Sequence, residues 1–129
     1  MRKWELLRSL DAFTTQYLEA ALWTETDQTN EQGGSPLDDN YDVEDFTLKS
    51  LRFAVSDCSD FRTLAREELD KSGLDEAEQG RCFWLNRNGH GTGFWDREGE
   101  QSILDKLSDH SKSYGSCNAS VYRKKIHLD

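Results

Sequence analysis

Apolar side chains recur at helical spacing in two stretches of the first 71 residues, and this pattern constrains the fold more than any other feature. In the first stretch they lie three or four positions apart: Leu6, Leu10, Phe13, Tyr17 and Ala20. Such spacing places them on a single face of a helix. The sequence therefore predicts a first helix from about residue 3 to residue 23.

The second apolar stretch, residues 46–69, predicts a further helical span that ends near Lys71. Asp42 is the expected N-cap of this span, because its carboxylate can accept a hydrogen bond from the first turn. Gly73 suits the position just beyond the C-terminus, where a left-handed backbone is common. A break near residues 56–57 would divide the span into two helices.

Between these helices, residues 24–41 or so lack periodicity and contain Gly33, Gly34 and the only proline, Pro36. We expect a loop here, and a loop of this length is more often functional or mobile than a plain connector. Residues 19–45 contain nine acids and no Lys or Arg, so this region repels nucleic acid and attracts a basic surface. The residues predicted to bind a partner are Glu25, Asp27, Glu31, Asp38, Asp39, Tyr41, Asp42, Glu44 and Asp45.

The C-terminal part changes character at Cys82. The segment "CFWLNR" is short, aromatic and typical of a strand, Asn88–Gly89 is a strong hairpin signal, and "TGFWD" would be the returning strand. A helix ending at Gly115 and a last strand within "NASVYRKKIHL" follow. The sequence thus predicts one α+β domain over residues 1–129. Helices of an acidic half, residues 1–80, would pack on a small three-stranded antiparallel sheet with one C-terminal helix, residues 81–129.

Charge and cysteine content restrict the remaining function classes. The net charge is -9, and residues 1–80 carry 8 Lys and Arg against 19 Asp and Glu, whereas residues 81–129 carry 8 against 6. Cys58, Cys82 and Cys117 form no CxxC pair, so we expect no metal and no cofactor. No run of 18 apolar residues and no signal peptide is present, so we expect no membrane association and a reducing cytoplasm.

The glycine-rich stretch of residues 84–99 admits two interpretations. In the catalytic one, His90 and Asp96 face each other across a hairpin, and the carboxylate orients the imidazole as a general base. In the structural one, Asn88–Gly89 forms a turn and Gly91 and Gly93 permit a bulge. The aromatic side chains then pack the sheet against the first helix: Trp84, Phe94 and Trp95.

The stretch from "LDDNYDVEDF" to "GFWDR", residues 37–97, resembles a family of small acidic proteins encoded by bacteriophages and other mobile elements. The pattern W-L-x-R-N-G-H-G-x-G-F-W-D of that family falls on residues 84–96. The segment "YLEAALW", residues 17–23, is similar to a second segment of that family. The resemblance covers about two thirds of the chain. It implies a phage or mobile-element protein that acts in a bacterial cytoplasm, and it implies no catalytic residue.

These observations favour a non-enzymatic inhibitor over an enzyme. Carboxylates of the acidic segment would stand in for phosphates on a nucleic-acid-binding surface of a host defence complex, such as a CRISPR effector or a restriction enzyme. The alternative is a small enzyme that uses His90 and Asp96. A third hypothesis, a nucleic-acid binder using Trp84, Trp95 and residues 123–125, is opposed by the net charge, so we expect no direct nucleic-acid binding. The oligomeric state stays open.

Overall fold

The computed structural model of the chain describes residues 2–28 and 34–129, and helices dominate this part. The six α-helices described there are α1 Lys3–Ser9, α2 Ala12–Thr24, α3 Leu48–Leu64, α4 Arg66–Lys71, α5 Glu76–Arg87 and α6 Gln101–Lys112. Two separate antiparallel ladders accompany them: β1 Thr26–Asp27 with β2 Ser35–Pro36, and β3 Ala119–Tyr122 with β4 Lys125–Leu128. Short 3-10 turns cover Leu37–Asp39, Val43–Asp45 and Phe94–Asp96.

The predicted α+β fold with a three-stranded antiparallel sheet and one C-terminal helix is therefore wrong. The segment "CFWLNR" belongs to α5, whose N-cap Asp75 accepts a hydrogen bond from the backbone N–H of Glu78 at 2.8 Å. Four consecutive apolar residues from Cys82 to Leu85 are all buried, because α5 lies in the middle of the core. A short run of consecutive apolar residues occurs in buried strands and in buried helices alike, so the sequence pattern does not distinguish the two.

The Asn88–Gly89 pair ends a helix instead of joining two strands. Gly89 has a φ of 69°, as a turn residue should. Its N–H donates to the Asn86 carbonyl at 3.2 Å, and the N–H of His90 donates to the Leu85 carbonyl at 3.0 Å. These two bonds form a Schellman motif, which satisfies the last carbonyls of α5. A glycine at positive φ serves both kinds of turn, so the dipeptide alone does not distinguish them.

Side-chain caps divide the N-terminal half differently from the prediction. The expected single helix from residue 3 to residue 23 is two helices, because Asp11 accepts a hydrogen bond from the N–H of Thr14 at 2.7 Å and starts α2. Thr47 caps α3, while Asp42 caps only the 3-10 turn that precedes it. The break in the long span falls at Ala65 and not near residues 56–57. Gly73 has the expected positive φ of 77°.

The predicted loop over residues 24–41 contains more structure than expected. β1 and β2 pair within it, and the 3-10 turn Leu37–Asp39 follows directly. Leu37 is fully buried and its N–H donates to the Glu25 carbonyl at 2.9 Å, so the segment returns to the end of α2. Residues 29–33, which include the predicted partner-binding residue Glu31, lie outside the described residues.

Aromatic rings form the centre of the core. Phe61 of α3 stacks on Phe83 of α5 with ring centroids 4.2 Å apart, and Tyr17 of α2 meets Trp84 edge to face at 5.2 Å. Gly80 of α5 lies directly against the Phe13 backbone: a Cβ atom added there would stand 1.9 Å from the Phe13 carbonyl oxygen. The glycine therefore permits the close approach of α2 and α5.

The last segment of the chain is a hairpin and not the single strand that the sequence predicted. β3 pairs with β4 through Tyr122 and Lys125, which leaves a two-residue turn. Arg123 and Lys124 occupy that turn with φ values of 52° and 60°. Two-residue hairpin turns of this kind favour Asn–Gly, so the sequence carried no recognisable turn signal. On its other side β4 contacts Phe46 through a parallel bridge at Ile126.

We expect Gly80→Ala to destabilise the protein by about 2 kcal/mol, which is a fall of roughly 4–8 °C in the melting temperature. The added methyl group meets the Phe13 backbone, and the cost of separating α2 from α5 exceeds the gain of about 1 kcal/mol in helix propensity. Gly91→Ala is the matched control, because nothing lies within 4 Å of the place that its methyl group would take. Equal melting temperatures for the two variants would contradict the close helix approach.

We expect the double substitution R123N/K124G to stabilise the protein by about 1 kcal/mol. Non-glycine residues at positive φ are strained, and Asn–Gly fits this turn without strain. The gain outweighs the loss of the contact between the Arg123 guanidinium and the Tyr122 ring, which is worth about 0.5 kcal/mol at an exposed position. Chemical denaturation measures the difference, and a lower unfolding free energy for the double variant would show that the turn is relaxed.

Candidate functional site

Residues 37–46 form a turn that is anchored at both ends, and we call it the acidic turn. Leu37 and Phe46 are fully buried at its two ends. Just beyond Phe46, the N–H of Thr47 donates to the Ile126 carbonyl of β4 at 3.0 Å. The backbone between these anchors folds into two 3-10 turns, Leu37–Asp39 and Val43–Asp45. The carboxylates of the acidic turn are therefore carried on a fixed backbone.

The acids of this turn differ in whether their carboxylates accept hydrogen bonds from the turn. Asp42 accepts a hydrogen bond from the N–H of Glu44 at 2.8 Å, and Asp45 accepts one from the N–H of Asp42 at 2.9 Å. These two carboxylates hold the second 3-10 turn. Asp38, Asp39 and Glu44 are exposed. In residues 2–28 and 34–129, no hydrogen bond or ion pair engages their carboxylates.

The other predicted partner-binding residues lie elsewhere or are less accessible. Asp27 is only 6% exposed. Glu25 is half-buried, and burial raises the pKa of its carboxyl although nearby His90 acts to lower it. Tyr41 is half-buried and packs against the core. The structure thus brings together the predicted acids from Asp38 to Asp45, while Glu25 and Asp27 lie behind them at the end of α2 and in β1.

Cations border the acidic turn on one side. Nζ of Lys3 donates to the Glu44 carbonyl oxygen. The pKa of Lys3 is lowered, chiefly by burial and then by the positive charge of Lys125, against the attraction of the acids at the end of the turn. The side chains of α1 and of the C-terminal hairpin therefore bring positive charge close to the carboxylates. The surface in this region is bipolar, with acids beside bases.

The glycine-rich stretch does not assemble the predicted His90 and Asp96 pair by a direct contact. The Asp96 carboxylate accepts hydrogen bonds from Thr92 Oγ1 at 2.8 Å, Gly93 N–H at 3.1 Å and Arg97 Nη1 at 2.6 Å. Slight burial raises its pKa, but these bonds and the Arg97 charge outweigh that effect and lower it overall. Within the described part of the chain, no hydrogen bond or ion pair joins His90 to Asp96.

The polar residues at the end of α5 each hold a different segment in place. Asn86 Oδ1 accepts a hydrogen bond from the N–H of Phe94 at 2.6 Å, which fixes the glycine-rich stretch. Asn88 Oδ1 accepts one from the N–H of Cys117 at 2.7 Å, which fixes the chain after α6. Trp84 is fully buried and donates through Nε1 to Thr24 Oγ1 at 2.8 Å. These residues of the motif therefore act in folding.

Arg87 makes the most extensive set of these contacts. Its buried guanidinium donates to the Tyr17 hydroxyl at 2.9 Å, to Asp57 Oδ2 at 2.7 Å and to the Gly115 carbonyl at 2.9 Å. A further bond reaches the Tyr114 carbonyl at 3.2 Å. One side chain thus links α2, α3 and α5 to the segment after α6. Sequence reasoning missed this role, because an arginine in an apparent strand gives no sign of burial.

The cysteines and the residues of the main groove do not form a second candidate site. All three cysteines are buried, and burial raises the pKa of Cys82 to about 12 and that of Cys117 to about 11. A groove of about 620 Å³ is lined by residues of α2, α3, α4 and α5. Its Arg62 already pairs with Asp11 at 2.7 Å and with Glu76 at 3.1 Å. Among the described residues no group of His, Cys, Asp or Glu could hold a metal ion.

We expect Arg87→Met to destabilise the protein by about 3–5 kcal/mol, because the substitution leaves the Asp57 carboxylate and two carbonyl oxygens without their donor. His90→Ala should change the unfolding free energy by no more than about 0.5 kcal/mol. Thermal and denaturant unfolding of the two variants tests both statements. A Met variant as stable as the parent would mean that the guanidinium network contributes no net stability.

Comparison of the chain with known protein-family models, with curated proteins and with solved structures gives no match. In the described residues no helix is both long enough and apolar enough to cross a membrane. A function must therefore be inferred from the geometry and charge of the acidic turn and its surroundings.

Proposed function

We propose that the protein is a non-enzymatic inhibitor whose acidic turn occupies a basic, nucleic-acid-binding surface of a host defence complex, such as a CRISPR effector or a restriction enzyme. One observation carries the proposal. The exposed carboxylates of Asp38, Asp39 and Glu44 accept no hydrogen bond and form no ion pair within the described residues, and they lie on a turn that Leu37 and Phe46 anchor in the core.

The anchoring matters for the energy of binding. A flexible acidic loop loses conformational entropy when a partner orders it, whereas a turn held by hydrogen bonds loses little. Asp42 and Asp45 supply those bonds within the turn. Exposed carboxylates on such a turn accelerate encounter with a basic surface and select against acidic partners.

The resemblance of residues 84–96 to a phage and mobile-element family supports the choice of partner. A protein of that class would act in the bacterial cytoplasm, where defence complexes with basic nucleic-acid channels are its natural targets. The activity needs no cofactor, since it consists of occupying a surface. Each strand of duplex DNA carries about one charge per 3.4 Å of its axis, so closely spaced carboxylates can replace part of one phosphate row.

We expect the triple reversal D38K/D39K/E44K to slow association with the partner about tenfold or more at about 50 mM salt. The difference should shrink near about 200 mM, because salt screens exposed charges. The three positions make no side-chain hydrogen bond in the described residues, so the fold should persist. The partner is first isolated from a bacterial lysate with the parent protein, and association is then followed by surface plasmon resonance with that purified complex.

The matched control is D70K/E98K/D109K, which changes the charge equally at exposed positions away from the acidic turn. It should associate nearly as fast as the parent. If both triple variants slow association equally, only the overall charge matters and the acidic turn is not the contact. If the parent protein captures a complex but does not reduce DNA binding by that complex, the inhibitor function is wrong. If His90→Ala abolished the activity of the protein and the triple reversal D38K/D39K/E44K did not, the enzyme would be favoured instead.

A further inference from the structure

The C-terminal hairpin has two chemically different faces. Ala119, Ile126 and Leu128 point into the core and are buried, with Val121 partly buried beside them. The register places the alternate residues of both strands on the outward face: Ser120, Tyr122, Lys125 and His127. That face carries a hydroxyl, an aromatic ring, an ammonium and an imidazole, and the exposed Asp129 follows at the end of β4. Arg123 and Lys124 extend it at the turn.

Aromatic and cationic groups lie close together on this face. Tyr122 is 59% exposed, and the Arg123 guanidinium lies 5.3 Å from the centre of its ring. The His127 ring meets the same ring edge to face at 5.9 Å. Arg123, Lys124 and Lys125 are exposed, and the Coulomb effect of Lys125 on Lys3 places a fourth cation nearby. These cations form a local positive group in a chain of net charge -9.

Although the net charge led us to expect no direct nucleic-acid binding, we propose that the outward face of the C-terminal hairpin binds a single-stranded nucleic acid, with phosphates at Arg123, Lys124 and Lys125 and a base against Tyr122. Proteins that bind single strands without sequence preference combine cations along the backbone with aromatic rings on which bases stack. The aromatic partner is Tyr122. Of the two tryptophans that the sequence suggested for this role, Trp84 is fully buried and hydrogen-bonded to Thr24, and Trp95 is exposed but lies outside the hairpin.

An acidic protein is the other class of ligand that three cations could attract. The exposed ring distinguishes the two classes, because every nucleic-acid base can stack on an aromatic ring, whereas an acidic side chain cannot. The acidic turn borders the hairpin near Lys3, whose Nζ donates to the Glu44 carbonyl oxygen. This site is independent of the proposed inhibitor function, because it is a different surface with a different ligand.

The test measures the fluorescence anisotropy of a labelled oligothymidylate of about 12 nucleotides with the full chain at about 50 mM salt. The parent should bind, with a slope of log K against log salt near about −2, since three phosphates are neutralised at about −0.7 each. R123N/K124G should bind about tenfold or more weakly while its melting temperature stays equal or rises. Weak binding by this variant can thus not be attributed to unfolding.

Two further comparisons test whether a base stacks on Tyr122 and whether positive charge elsewhere on the protein would have the same effect. Y122F should bind within about twofold of the parent, whereas Y122S should bind about fivefold or more weakly. K106Q/K112Q removes two exposed cations from α6 and should leave affinity unchanged. The inference is overturned if the parent does not bind, if K106Q/K112Q weakens binding as much as R123N/K124G, or if polyglutamate displaces the oligonucleotide at equal charge. The last outcome would assign the hairpin to an acidic protein. None of these results depends on Asp38, Asp39 or Glu44.

Discussion

The buried guanidinium of Arg87 is the interaction on which the arrangement of the other elements depends. Burying a cation is costly unless it is paired and fully hydrogen-bonded. Here the cost is offset by the Asp57 carboxylate, the Tyr17 hydroxyl and two carbonyl oxygens from the chain after α6. Because those acceptors belong to different elements, the charge can be satisfied only when α2, α3, α5 and that segment are all in place.

The neighbours of Arg87 extend the same arrangement in two directions. Asn86 holds the glycine-rich stretch and Asn88 holds the chain near Cys117. The last turn of α5 therefore orders segments on both sides of α6 that have little regular structure of their own. Because Asn86 holds it in place, the glycine-rich stretch can adopt one conformation without forming a hairpin.

The sequence predicted the helical periodicity of the first 71 residues and α6, whose apolar positions follow regular spacing on a polar background. It did not predict α5, because Cys82, Phe83, Trp84 and Leu85 are consecutive, and a helix buried on all sides has no polar face to reveal its period. The C-terminal hairpin was missed for a different reason. Arg123 and Lys124 occupy a turn that normally favours other residues, and only tertiary contacts, such as the bridge from Phe46 to Ile126, show where the chain reverses.

Charges counted along the chain locate the acids but do not separate exposed carboxylates from those with structural roles. Asp11 and Asp75 cap helices, Asp57 pairs with Arg87, and Asp96 fixes a loop. The pairing of Asp57 depends on a partner 30 positions away in the sequence, so composition cannot reveal it. Asp38, Asp39 and Glu44 remain exposed in the folded chain.

The hydrogen bond from Thr47 to Ile126 joins the acidic turn to the C-terminal hairpin. The two oppositely charged surfaces are consequently tied to each other through the backbone. A nucleoprotein that met the acidic turn with its protein and the hairpin with its strand would lose translational and rotational freedom only once, and the second contact would form at a high effective concentration. Such a pair of surfaces discriminates by spacing as well as by sign. A target with the right charges at the wrong separation gains from one contact alone.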